Sequence, residues 1–349
     1  MQHEVDYDHR LAAARKAVAD ACVVCRSVQR DLEQIRAVTK DDRSPVTVAD
    51  WASQAVIVRR LREELGHVNM VAEEKADALR QATNATQLER VLEAVRLVWP
   101  DATADDVLDA IDHGHDMPEG KSSEAPGAIF WTLDPIDGTK GFMRGEQYAI
   151  SLAWIEAGES VLGILGCPNL SADFSHPFDQ PDAHGCVYFA YKGTGVWEAP
   201  ADDPDAAPLH IRRLEPADGE PIRVCESVET GHSKQDDTAR ILEIVGATEE
   251  PSRLDSQAKY AVVARGQADA YLRMPTRKGY VERIWDHAAG AIIASEAGCA
   301  VTDIAGRSLD FGRGRGLEGN RGIVCAPARP HGKIIGAIRD LGLDAEPTE

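Results

Sequence analysis

An apolar run, Ile129–Leu133, leads into Asp134-Pro135-Ile136-Asp137-Gly138-Thr139. Two carboxylates therefore stand three residues apart at the end of an apolar stretch. Pro135 disfavours helical backbone at Asp134 and keeps it extended. Gly138 permits a sharp bend. Such a turn can aim both carboxylates, and the backbone carbonyl between them, into one small volume. Crowded carboxylates raise each other's pKa unless a cation joins them. A tight set of oxygen ligands suits Mg²⁺. The plainer alternative is an ordinary Asp-Pro turn, because Asp, Pro and Gly are common turn residues.

Other acidic residues sit in comparable places. Glu73-Glu74 follows the apolar segment Val68–Ala72. Asp286 follows Ile284-Trp285 and opens the Ala-rich run DHAAGAIIASEAG. Asp50 closes SPVTVAD. Each has a simple structural explanation: a helix cap for Asp286, a capping box with Thr47 for Asp50, and a solvated loop for Glu73 and Glu74. Four acidic sites, each at the end or start of a regular element, point together to a metal site.

The elements that must position them follow from periodicity. Leu11, Ala14, Val18, Ala21, Cys25, Val28 and Leu32 recur at helical spacing over residues 6–37. A second helix is expected from Val46 to about Leu65, with Thr47 as its N-cap. Val68–Ala72 reads as a strand, and one or two helices fall within 77–110. Residues 112–128 carry Gly, Pro, Ser and charge without periodicity and read as a surface loop. His113 and His115 could bind a metal there; a solvated pair is the expectation. Strands are expected at 129–133, 149–156, 160–167, 186–191 and 195–198, with a hairpin turn at Ala157-Gly158-Glu159. Residues 200–220 read as a surface excursion. From Ile222 strands and helices alternate to a final helix near 330–341. The chain thus reads as a mixed α/β (α+β) protein. Residues 1–160 form an N-terminal α+β lobe that would carry most metal ligands. Residues 161–349 form a C-terminal α/β lobe.

Composition sets the setting. The chain has 349 residues, 43% hydrophobic, and a formal net charge of −20. That surface repels nucleic acid and anionic membranes. It would also repel a polyanionic substrate, so any phosphate site needs bound metal and a few placed Lys or Arg side chains. No apolar run is long enough for a membrane span, and MQHEVDYDHR lacks the apolar core of a secretory signal. The seven cysteines are scattered and odd in number, against a disulfide framework. Cytosol is the expected compartment, with a plastid or other organelle after transit-peptide removal as the alternative. Cys22 and Cys25 form a CxxC inside a helical pattern, so they read as buried packing residues.

On these residues the sequence resembles the inositol monophosphatase superfamily of lithium-sensitive phosphatases, and within it the 3′(2′),5′-bisphosphate nucleotidase branch. The shared segments are SPVTVAD (44–50), AEEK (72–75), WTLDPIDGTKGFMRGEQYAISLAWIE (131–156) and IWDHAAGAIIASEAG (284–298). The nucleotidase branch adds ESVETGHS (226–233) and LDSQAKYAVVARGQADAYLRMP (254–275). Ala72 stands where a glycine often precedes the Glu pair. The resemblance implies a five-layered αβαβα sandwich of the inositol monophosphatase/fructose-1,6-bisphosphatase type.

It further implies two or three Mg²⁺ ions and inhibition by Li⁺ or Na⁺. One ion would be held by Glu73, Asp134 and the carbonyl of Ile136, and a second by Asp134, Asp137 and Asp286. A third would contact Glu73 through waters, with Glu74 behind the ligands. Asp50 and Thr139 would activate the attacking water. Gly138, Thr139, His232, Asp255, Ser256, Lys259, Arg273 and Asp286 would line the substrate pocket. Lys121 or Arg144 could assist at its mouth. The implied reaction is removal of the 3′-phosphate from adenosine 3′,5′-bisphosphate, and from 3′-phosphoadenylyl sulfate, in clearing a sulfur-assimilation by-product. The alternatives are an inositol mono- or polyphosphate phosphatase and a non-catalytic nucleotide- or metal-binding sensor. The expected partner is a small molecule, and the expected state a monomer, with a dimer as the alternative.

Overall fold

The computed structural model describes residues 6–36, 44–115, 127–213, 216, 220–229, 234–247 and 249–345. Helix α1 (Tyr7–Arg36) buries Ala14, Val18, Ala21, Cys25, Val28 and Leu32 along one face, the stripe that the spacing predicts. It packs along α2 (Ser44–Leu65). The second helix begins earlier than expected. Thr47 therefore lies inside it and does not form an N-cap with Asp50. Pro45 falls in the first turn, where its missing N–H costs nothing. Cys22 and Cys25 are buried thiols on α1, the packing role expected of them. Burial pushes the Cys22 thiol up to about 12.

The first sheet has seven strands in chain order: β1 (Met70–Ala72), β2 (Ile129–Asp137), β3 (Ala149–Glu156), β4 (Glu159–Cys167), β5 (Cys186–Tyr191), β6 (Val196–Pro200) and β7 (Leu209–Ile211). Only β1 and β2 pair in parallel; the rest form an antiparallel meander that runs through residue 160. Strand β7 lies in the stretch read as a surface excursion; three residues give too short an alternation to stand out. Between β1 and β2 come α3 (Ala85–Val95) and α4 (Ala104–His113), and the short α5 (Thr139–Arg144) follows β2. The segment read as a loop from 112 is therefore helical to His113, and 116–126 lie outside the described residues.

The second sheet contains β8 (Val224–Glu226), β9 (Ser252–Arg253), β10 (Ala270–Arg273), β11 (Cys299–Thr302) and β12 (Ile323–Pro327), in the order β11-β12-β10-β8-β9. Helices α6 (Gln235–Val245) and α9 (Ala328–Asp340) cover its outer face through Ile241, Leu242, Ile334 and Ile338. Helices α7 (Ala258–Ala264) and α8 (Ala288–Glu296) fill the space between the sheets. The layers are α1/α2, first sheet, α7/α8, second sheet, α6/α9, the five-layered αβαβα sandwich expected.

Alternation along the strands divides the core. Ile150, Leu152 and Trp154 of β3 face α1 and α2, while Ala149, Ala153 and Ile155 face α8. Small residues on the α8 side let the helix lie close. A Cβ on Gly163 would stand 2.4 Å from Ile292 Cγ2 and 2.9 Å from the carbonyl oxygen of Ala289. That close approach fixes the height of α8, and with it Asp286 just before. Among the described residues no helix is long and apolar enough to cross a membrane.

Candidate active site

Parallel pairing of β1 and β2 brings two acidic segments to one edge. Ala72 pairs with Leu133, and the Glu73 amide donates to the Leu133 carbonyl at 3.2 Å. Glu73 thus emerges beside Asp134. At the end of β2 the register slips between Asp134 and Asp137. Within this slip the Ile136 amide donates to Asp134 Oδ1 at 3.0 Å.

Helix α2 clamps both acidic turns from behind. Gln54 donates to the Glu74 carbonyl at 2.7 Å and accepts the Glu74 amide at 3.1 Å. Ser53 donates to the Pro135 carbonyl at 3.0 Å. Asp50, one turn before them, is 8% exposed.

Gly138 follows with φ of +86°, a conformation only glycine adopts freely. A Cβ there would lie 2.9 Å from Ser256 Cβ. Ser256 is itself left-handed at φ +69°. Its strained turn delivers the amide of Gln257 to Asp137 Oδ2 at 2.6 Å. Two segments far apart in sequence therefore meet backbone to backbone.

Together these elements wall a cavity of about 300 Å³. Glu73, Asp134, Ile136, Asp137, Gly138, Thr139, Asp255, Ser256, Lys259, Arg273 and Asp286 all line it. His232 and Lys121 lie outside the described residues. Asp50 is buried behind Asp134, whereas Thr139 is exposed at the cavity wall; among the described residues no hydrogen bond links them. His115 lies apart, its Nε2 2.7 Å from the Glu74 carbonyl.

The acids here are poorly compensated. Burial, then Glu73, Asp137, Asp286 and Asp50, holds Asp134 well above the usual carboxylate range. Burial and Asp137 do the same to Asp286, against the pull of Arg273. Glu73 keeps solvent access through the cavity, yet surrounding protein and Glu74 raise it to about 7. Asp50 is raised by burial, Glu74 and Glu73. Crowded carboxylates that repel one another, offering oxygen alone, fit a hard divalent cation.

A different trio approaches most closely. Among the described residues, Glu282, Asp286 and His287 are the set whose ligand atoms all fall within 4.8 Å of one another. Two of them are already engaged. Glu282 accepts two hydrogen bonds from Arg273, at 2.8 and 2.7 Å, and His287 Nδ1 lies 3.0 Å from the Tyr260 hydroxyl. Burial opposes ionisation of Glu282, but His287 and Arg273 hold it down at about 2. This trio is an ion-pair network that Asp286 touches, and the uncompensated acids across the cavity are the better cation site.

The opposite wall carries the cations. Lys259 is 2% exposed, and its Nζ donates to the Leu254 carbonyl at 3.1 Å. Burial lowers its pKa, while Asp137 and Asp255 oppose this. Arg144 pairs with Asp255, Glu146 and Glu229. It is braced by these three acids and is not among the residues that line the cavity. Gln257, Glu282 and Arg315 are missing from the residues singled out in the sequence. Gln257 sat inside LDSQAKY, which was its signal. Glu282 and Arg315 had none, because their partners are distant: Arg315 donates to the Ala72 carbonyl at 2.9 Å.

A profile of the Inositol monophosphatase family matches residues 6–343. The chain is 38% identical to a 3′(2′),5′-bisphosphate nucleotidase of Emericella nidulans, covering 97% of this chain and 99% of that one. It is 37% identical to a protein of the same name from Schizosaccharomyces pombe, covering 97% and 96%. With the one from Oryza sativa it shares 39% identity, over 96% and 94%. The fold is similar to that of CysQ from Bacteroides thetaiotaomicron, a bacterial member of the inositol monophosphatase family. The TM-score is 0.59 at 20% identity, over 93% of this chain and 99% of that one. SuhB of Mycobacterium tuberculosis matches with a TM-score of 0.58 at 19% identity, over 96% and 97%.

Proposed function

The chain belongs to the inositol monophosphatase family, and from that premise we propose that it is a 3′(2′),5′-bisphosphate nucleotidase. It removes the 3′-phosphate of adenosine 3′,5′-bisphosphate, leaving AMP and phosphate, and accepts 3′-phosphoadenylyl sulfate because the cleaved end is the same. The observation that carries this reading is one cavity with two unlike walls. Poorly compensated Glu73 and Asp134 share it with Lys259 and Arg273, and Asp286, near Arg273, completes the acidic set.

Glu73, Asp134, the Ile136 carbonyl, Asp137 and Asp286 would hold two or three Mg²⁺ ions, and inhibition by Li⁺ or Na⁺ is expected. Bound there, such ions lower the pKa of a water and offset charge developing on the phosphoryl oxygens. Thr139, at the cavity wall, would accept the proton of the attacking water while passing its own hydroxyl proton to Asp50, a step that requires the two to come within hydrogen-bond reach when substrate binds. Lys259 supplies positive charge from a dry position, where it acts more strongly than on the surface. Arg273, braced by Glu282, presents a guanidinium of fixed orientation to the phosphate that is not cleaved. Asp255, Ser256 and His232 complete the nucleotide side, and the left-handed turn at Gly138 keeps the floor free of side chain.

Phosphate release from adenosine 3′,5′-bisphosphate and from inositol 1-phosphate, each with Mg²⁺ and with chelator, tests this. The nucleotide is expected to be preferred and turnover to require the metal. Preference for the inositol ester, or full turnover in chelator, overturns the reading.

A further inference from the structure

Gln257 is 2% exposed, yet its amide is fully engaged. Nε2 donates to Ser151 Oγ at 2.7 Å and to the Trp285 carbonyl at 2.7 Å. Oε1 accepts the Gly290 amide at 3.0 Å. The residue's own backbone amide donates to Asp137 Oδ2 at 2.6 Å. Each bond ends on a cavity acid or on a segment that flanks one. Ser151 pairs with Asp134 across the β2–β3 ladder. Trp285 immediately precedes Asp286, in the short 3₁₀ turn Ile284–Asp286. Gly290 lies in the first turn of α8, which that turn feeds. Ser151 Oγ also donates to the Trp285 carbonyl, at 3.2 Å, closing a triangle.

We propose that Gln257 is the positioning residue of the metal centre: its side chain ties the strand beside Asp134 to the turn that carries Asp286, while its backbone amide holds Asp137. The inference rests on the cation-binding reading above. Repulsion among the acids pushes these segments apart, and a web of short hydrogen bonds opposes it. Only an amide supplies two donors and an acceptor in this geometry. A carboxylate would face the Trp285 carbonyl with like partial charge, and an apolar side chain would leave the Gly290 amide and the Trp285 carbonyl without this partner. Gln257 touches no reacting atom; it acts through the acids. Outer groups of this kind typically govern metal affinity by about 10- to 100-fold.

The test is Mn²⁺ titration of the full chain, followed by the EPR signal of free Mn²⁺, for wild type, Gln257→Met and Ser151→Ala. Mn²⁺ affinity is expected to fall about 10- to 100-fold in Gln257→Met, and to a smaller extent in Ser151→Ala, which cuts one arm. Excess Mg²⁺ should then restore much of kcat, which a merely structural defect would not allow. Wild-type affinity in folded Gln257→Met overturns the proposal. If that variant does not fold, wild-type affinity in Ser151→Ala overturns it. A wild-type chain that takes up no Mn²⁺ instead overturns the cation-binding reading on which the proposal stands.

Discussion

The acidic and basic walls of the cavity come from different parts of the sandwich. Glu73, Asp134 and Asp137 lie at strand ends of the first sheet, whereas Arg273 ends a strand of the second and Lys259 lies on α7 between the sheets. The walls also balance their charge differently. Arg273 has Glu282, and Arg144 has Asp255, Glu146 and Glu229. Glu73, Asp134 and Asp286 mostly have each other, and all are shifted toward the protonated form. One wall is thus finished by the protein, and the other is finished by what binds to it. Buried charge that is already paired fixes geometry; buried like charge left in conflict creates affinity for an ion of opposite sign.

The comparison can be broken most sharply at Asp134. Asp134→Asn is expected to lower kcat by on the order of 10³ or more. The same change should raise the melting temperature in chelator, because it removes a repelling carboxylate. A loss of stability in chelator would mean that this wall is not in conflict.

On the other wall the sign reverses. Glu282→Gln leaves Arg273 without its charge partner, at a cost of about 3 kcal/mol, read as a lower urea midpoint. An unchanged midpoint would show that the pair is not what braces that side.

The smallest effect, and the sharpest discriminator, is pH. Carboxyls raised in the folded state bind protons more tightly there than in the unfolded chain. Stability in chelator should therefore fall as pH rises from the ordinary carboxylate range, near 4, through the folded value of about 7 for Glu73. Glu282 is depressed to about 2, so its contribution is present above the ordinary range and lost as pH falls toward 2. Melting temperature against pH in chelator should show both limbs, and added Mg²⁺ should flatten only the upper one.

Much of this was readable in the sequence because the acids sit at boundaries of regular elements. Apolar run, Asp-Pro, then Gly is a local signature, and Gly138 needs its positive φ whatever the partner. The helical stripe of α1 and the β3–β4 hairpin were equally local. What could not be read locally was pairing. Thr47 and Asp50 have the spacing of a capping box, but the helix starts upstream, and the carboxylate faces the Glu73-Glu74 turn instead. Arg273 reads as a basic residue on its own, and the Glu282 that braces it is visible only in the fold. Gln257 looks like one more helix-start residue until Ser151 and Trp285, distant in the chain, close on its amide.

Strand order in the second sheet has a bearing on how a new molecule comes to life. Strand β12, at Ile323–Pro327, lies between β10 and β11. Until it arrives, the strand ending in Arg273 has an open edge. All seven strands of the first sheet precede β12 in the chain, and N-terminal parts of a chain can fold first during synthesis. Glu73, Asp134 and Asp137 then stand without the second-sheet wall that carries Arg273. The pocket is therefore framed on both sides only once β12, late in the sequence, has paired with β10 and β11.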